Sequence, residues 1–429
     1  MKRIWNNILD EGLIHLQLEN GINLYYYPKK GFTKKYAIFS TSFGSNHTSF
    51  TEKPNGKIIK LPNGTAHFLE HKLFEDPDRN IFERFAKYGA NVNAYTNFDQ
   101  TSYLFSTSDN FYDSLSLLVE FVQNPYLTDE NIEKEKGIIG QEIQMYRDNP
   151  RWRVYFNCLS AMYHNHPVKD DIAGTIDSIR EIYKEDLLLA YNRFYHPSNM
   201  VLFVVGDLEL DRIAEAVNKA SRRFPADAGT PVKYYPEEPA VVRQNFIEDY
   251  MSTSKPLFYI GFKDTDPGKT GKASVKKDIV TNMLLDILLS ESSEFYQDIY
   301  SQGLIDSSFG AYYSGKSDYG QSMIVGQSDD PKRVYQLVVE LMSNKTSPLN
   351  EDAFLRAKKK EMGRFLMGLN SVEFIANNLT DLYFQGFYLM DYLDLLSETT
   401  FEDLLERFER HFSSGESVLS VIWPEGMVK

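Results

Sequence analysis

His67 and His71 stand four residues apart, with Glu70 immediately before the second. On a helix, side chains four apart share a face, with Cβ atoms about 5–6 Å apart. Two imidazoles so placed can converge on one tetrahedral zinc, at about 2.0–2.1 Å per bond. Glu70 lies three residues beyond His67 on the same side, where its carboxylate can reach a water at the metal. That set, two nitrogen ligands and a base beside an open position, is what metal-assisted hydrolysis requires. The order H-x-x-E-H is the inverse of the commoner H-E-x-x-H zinc motif. The chain has only 8 His, so a chance match is on the order of one in a hundred. A lone helical histidine is usually structural; this pair with its glutamate reads as a metal centre.

A catalytic zinc commonly takes three protein ligands plus water. Past a break at Asn124-Pro125, Thr128 or Asp129 caps a helix reaching about Arg147, which carries Glu130, Glu133, Glu135 and Glu142. Glu135 and Glu142 are seven apart, two turns on one face and about 10.5 Å along the axis. Both cannot bind the same ion directly, so one is a candidate ligand and the other a supporting residue. Read without the motif, a Glu-rich helix is a solvated face.

The elements that hold these residues follow from pattern. Strands are expected at 13–18 and 22–27 around Glu19-Asn20-Gly21, and at 36–43, with a polar loop over 51–64. The motif helix follows, capped by Asn63 or Thr65 and ending near Asp76-Pro77. A helix over 79–88 ends at Gly89, and two strands flank a turn at Asn97 to Gln100. One amphipathic helix is expected over 178–195, then a buried strand from Met200 to Asp207. The Pro- and Gly-rich stretch 225–240 reads as a linker between an N-terminal domain, 1–224, and a C-terminal domain, 241–429. The second part repeats the strand and helix order but carries only His411, so it cannot repeat the metal site.

Composition narrows the class. The chain has 429 residues, 42% of them hydrophobic, which is globular. A net charge of −14 without basic clusters argues against nucleic acid as a partner. The single Cys158 excludes an internal disulfide framework and fits a reducing compartment. The N-terminus lacks the apolar core of a signal peptide, and no apolar run nears the roughly 18 residues that would span a membrane. A soluble, cytoplasmic protein is expected. His15, His47, His164 and His166 read as structural. Asp266-Pro267-Gly268-Lys269-Thr270 resembles the end of a phosphate loop, but Gly261 is too far upstream for that spacing. Lys358-Lys359-Lys360 lies among acidic residues and reads as solvated.

The motifs together resemble the pitrilysin/insulysin family of zinc metallopeptidases. His67, Glu70 and His71 match its hallmark, and Glu135 and Glu142 match its paired glutamates. Asn93-Ala94-Tyr95-Thr96, with Thr101 and Tyr103, looks like its N-A-x-T edge strand. Tyr195-His196-Pro197-Ser198-Asn199-Met200 with Gly206-Asp207 is similar to a further family segment. The resemblance implies one zinc per chain held by His67, His71 and Glu142, with Glu70 and Glu135 as the catalytic and supporting acids. It implies an α+β fold of two homologous α/β domains, each a mixed, largely antiparallel sheet flanked by helices, together one half of a clamshell. Substrate peptide would add as a strand along Asn93, Ala94 and Tyr95. Family members also carry an Arg and, seven residues on, a Tyr in the second half. Here Tyr300 and Ser307 fall at those positions, and 295–308 contains no Arg. The departure implies a zinc subunit paired with a metal-free homologous partner, a homodimer being the other arrangement. The expected activity is that of a zinc endopeptidase acting on peptides or small unfolded polypeptides inside a dimer chamber. The competing expectations are a non-catalytic structural or maturation subunit and a module that captures peptides without cutting them.

Overall fold

Alternation along the strands sends side chains to two different cores. Tyr25, Tyr27, Tyr36 and Ile38 enter one, while Tyr26, Ala37 and Phe39 enter another on the opposite face. The computed structural model describes residues 1–51, 56–77, 80–222, 231–343, 349–412 and 415–427. In chain order the strands are β1 (Lys2–Asn6), β2 (Glu11–Gln17), β3 (Asn23–Pro28), β4 (Lys35–Thr41), β5 (Ser49–Thr51), β6 (Ile58–Lys60), β7 (Asn91–Thr96), β8 (Thr101–Thr107), β9 (Met200–Gly206), β10 (Val232–Lys233), β11 (Phe246–Met251), β12 (Leu257–Lys263), β13 (Gly310–Gly315), β14 (Gly320–Gln327) and β15 (Ser417–Pro424). The helices are α1 (Thr65–Leu73), α2 (Ile81–Lys87), α3 (Phe111–Gln123), α4 (Asp129–Arg147), α5 (Pro150–Met162), α6 (Ile176–Arg180), α7 (Lys184–Phe194), α8 (Leu210–Ala220), α9 (Gly271–Leu289), α10 (Glu294–Ser301), α11 (Pro331–Ser343), α12 (Glu351–Gly368), α13 (Val372–Phe384), α14 (Tyr392–Glu398) and α15 (Phe401–Phe412).

Two sheets organise the chain. The first has the order β1-β2-β3-β9-β4-β8-β7, and the second β11-β15-β12-β14-β13. Within the first, β3 and β9 are parallel and the run β9-β4-β8-β7 is antiparallel. Within the second, β11 and β15 are parallel and β15-β12-β14-β13 is antiparallel. The five strands of the second sheet therefore match β3, β9, β4, β8 and β7 one for one. This is the two-domain mixed α/β duplication expected from the sequence. The motif helix α1, between β4 and β7, has its counterpart in α9, which lies between β12 and β13 and carries no histidine.

Each sheet is covered on one face by a helix from the other half. Helix α13 packs on β4 and β9, while α5 packs on β12, β15 and β11. Val154, Cys158 and Met162 of α5 fill against Ile422, Val418 and Met323 of the second sheet. Strand β9 is thus buried on both faces, and every residue of its run is apolar or glycine. A buried polar cluster braces the second half: Asp264 accepts from Arg407 at 2.9 Å and lies 3.0 Å from Lys277.

Some local expectations change. The loop 51–64 carries the short strands β5 and β6, its residues 52–55 lying outside the described set. The helix of 178–195 is two, α6 and α7, because Glu181 and Ile182 break the turn between them. The motif helix is capped by neither Asn63 nor Thr65 but by Gly64, at φ +91°. A Cβ there would stand 2.5 Å from the Ala173 carbonyl oxygen, so close packing under the helix requires glycine. Of the stretch 225–240, residues 231–240 are described, and β10 within it pairs with β5.

Candidate metal and hydrolytic site

Helix α1 is buried along nearly its whole length, His67 and Glu70 included. Helix α4 runs beside it. Its inner stripe is Ile132, Glu135, Ile139 and Ile143, with Glu142 half-buried alongside, so both carboxylates interrupt an otherwise apolar face. A Thr128–Asn131 capping box fixes where α4 starts.

The two helices bring His67, His71 and Glu142 together. One ligating atom from each lies within 4.8 Å of the others. Nε2 of His67 is 3.7 Å from Glu142 Oε1, and Nε2 of His71 is 3.5 Å from Glu142 Oε2. Tetrahedral zinc with bonds of about 2.0–2.1 Å sets its ligands about 3.4 Å apart, close to both of these histidine–glutamate distances. Burial, aided by the neighbouring His71, pushes His67 down to about 3, leaving it neutral and free to ligate. Nδ1 of His71 donates to Glu135 Oε1 at 3.1 Å, which directs Nε2 of the same ring to the centre. Burial alone would raise the Glu135 carboxyl, but His71 and the fully buried Lys72 outweigh it and hold it below its ordinary value.

Glu70 lies within electrostatic reach of His71 and Glu142. Burial raises its pKa, against the lowering effect of Thr96 and His71. Its Oε2 accepts the hydroxyl of Thr96 at 2.7 Å. Thr96 ends β7, the edge strand of the first sheet. The N–H of Ala94 bonds the Asn93 side chain at 2.9 Å instead of β8. By the alternation of an antiparallel ladder, Val92, Ala94 and Thr96 present their main-chain groups to the open edge, while Asn93 and Tyr95 bond back to β8. Asn93, Ala94 and Tyr95 thus lie on an available edge, with Ala94 the one facing outwards. Tyr95 is tied to Asn377 of α13 at 3.3 Å.

Two contacts escaped the reading of the sequence. Thr96 was visible only as part of a strand pattern. Tyr146 donates to Glu142 Oε1 at 2.9 Å, and its one signal was a spacing of four from Glu142 on α4. His47 is buried and accepts from Gly44 N–H at 2.7 Å; His166 pairs with Asp318 at 3.1 Å. Tyr300 is exposed and stacks on Tyr296; Ser307 is also exposed.

This arrangement of two helices and an open strand is that of a metallopeptidase family. The model for insulinase, peptidase family M16, matches residues 60–176, and that for the peptidase M16 inactive domain matches residues 181–361. The chain belongs to this family. It is 38% identical to YmfH of Bacillus subtilis (strain 168), named an uncharacterized zinc protease, over 97% of this chain and 98% of that one. A solved structure from Alicyclobacillus acidocaldarius, described as M16-like, is 38% identical with a TM-score of 0.91, covering 96% of this chain and 98% of that chain. The periplasmic protease PqqL of Escherichia coli shares the fold at 16% identity and a TM-score of 0.73, over 98% of this chain but 48% of PqqL. No described helix is long and apolar enough to cross a membrane.

Proposed function

We propose that this chain is a zinc-dependent endopeptidase. The observation that carries the reading is the convergence of His67, His71 and Glu142 within 4.8 Å, with Glu70 beside them. His67, His71 and Glu142 would hold one zinc. When bound, the ion supplies a Lewis acid that polarises the scissile carbonyl and makes water a nucleophile near neutral pH. Glu70 accepts the proton of the attacking water and delivers it to the leaving amine as the C–N bond breaks. Glu135 orients His71 through Nδ1. The peptide adds to β7 as an extended strand, paired with the main chain of Ala94 and flanked by Asn93 and Tyr95. Such pairing is largely indifferent to sequence, so flexible peptides and small unfolded polypeptides are the substrate class.

The working unit is a dimer enclosing a chamber, with a metal-free homologous subunit as partner. Two facts support this: 295–308 contains no Arg, and this chain aligns with about half of the longer PqqL. The division of the chain at 225–240 and a cytoplasmic location belong to the same reading.

The test is zinc content together with cleavage of an internally quenched unstructured peptide, measured with and without the partner co-purified from the native cell. The wild-type chain should carry one zinc and support cleavage, while His71→Ala should lose both. Full zinc occupancy in His71→Ala would remove the ligand assignment. Zinc without any cleavage, partner present, would favour a structural or peptide-capturing subunit.

A further inference from the structure

Tyr146 lies one helical turn past Glu142 and faces it across α4. Its hydroxyl donates to Oε1 of Glu142 at 2.9 Å. Its ring stacks on Trp152 of α5, with centroids 4.5 Å apart and planes 16° apart. The indole Nε1–H of Trp152 donates in turn to Asp171 Oδ2 at 2.5 Å. Asp171 also accepts from the N–H of Ala173, whose carbonyl packs on Gly64, the cap of the motif helix. A continuous set of contacts therefore runs from Glu142 back to the start of the helix that carries His67 and His71.

We propose that Tyr146 is a positioning residue for Glu142: it occupies one carboxylate oxygen and leaves the other to ligate the metal. The oxygen it leaves is Oε2, which lies 3.5 Å from His71 Nε2; the oxygen it takes, Oε1, lies 3.7 Å from His67 Nε2. A carboxylate held by one oxygen gives a third ligand without taking the coordination position that water needs. Hydrogen bonds of this kind, to groups that themselves bind the metal, commonly change metal affinity about 10- to 100-fold. The stack on Trp152 aims the hydroxyl, because it fixes the ring plane against a second helix.

The inference rests on the zinc reading above, and the experiment separates the two. Zinc dissociation constants are measured by competition with a chromophoric chelator for wild type, Tyr146→Phe and Tyr146→Leu, alongside the melting temperature of each metal-free protein. Tyr146→Phe keeps the stack and removes only the hydroxyl. It should bind zinc about 10- to 100-fold more weakly while its metal-free melting temperature stays at the wild-type value. Wild-type affinity in Tyr146→Phe would overturn the proposal and leave the zinc reading standing. Weak binding by Tyr146→Leu with unchanged binding by Tyr146→Phe would assign the effect to ring packing, which also overturns it. A wild-type protein that binds no zinc would overturn the metal reading, and this inference with it.

Discussion

The hydroxyl of Thr96 donates to Oε2 of Glu70 at 2.7 Å, so the edge strand β7 and the motif helix α1 meet at the carboxylate proposed as the base. The proposed substrate strand on β7 would then be registered against the residue that holds the proposed base. Thr96→Val keeps the shape and removes the hydroxyl. It should lower kcat about 10-fold with KM nearly unchanged, because a buried carboxylate loses a partner worth about 1.4 kcal/mol. Steady-state kinetics decide; an equal rise in KM would place Thr96 in substrate binding instead.

Glu70→Gln retains size and one acceptor but cannot take a proton. Zinc content should match wild type, while turnover falls about 10²- to 10⁴-fold. Metal analysis and single-turnover hydrolysis are read on the same sample, and retained turnover would remove Glu70 from its role.

Ala94→Pro deletes the N–H that faces the open edge of β7. Proline is tolerated on an edge strand whose N–H points away from the sheet. Zinc content and melting temperature should hold, and KM for a long unstructured peptide should rise several-fold. An unchanged KM would move the substrate off this strand.

Asp264 tests the scaffold rather than the chemistry. Burial alone would raise its carboxyl, but Arg407, His411 and Lys277 hold it well below the ordinary carboxylate value. Its folded pKa is depressed, so the ionised carboxylate contributes fully above the unfolded value of about 3.9 and its contribution is lost as pH falls through the folded value. Asp264→Asn should cost about 3–5 kcal/mol, since it leaves the paired cations buried. Urea unfolding from pH 7 to pH 3 checks the sign: the gap to wild type should be constant above about pH 5 and narrow below about pH 4.

The sequence carried most of the site because its signals are periodic. Helical spacing put His67, Glu70 and His71 on one face, and a gap of seven put Glu135 and Glu142 on another. The strand Met200–Gly206 was legible because both its faces are buried. Contacts between elements left little trace. The apolar positions of α5, Val154, Cys158 and Met162, show that one face is covered, not which sheet covers it. The Gly64 cap depends on Ala173, a residue more than a hundred positions away. Thr96 and Tyr146 are ordinary in composition and gain meaning only from the carboxylates they touch.

The exchange of α5 and α13 between the sheets has a consequence for how such a chain can be taken apart. Each half supplies a wall of the other's interior, so a cut near 225–240 would leave two fragments that each expose a raw apolar face. Those faces are mutually complementary. Severed fragments should find each other and rebuild one particle, and the half with the candidate metal site should not persist as a free protein. The half with the candidate site and the copy without one are bound to a common fate, by interlocked walls as much as by the peptide bond between them.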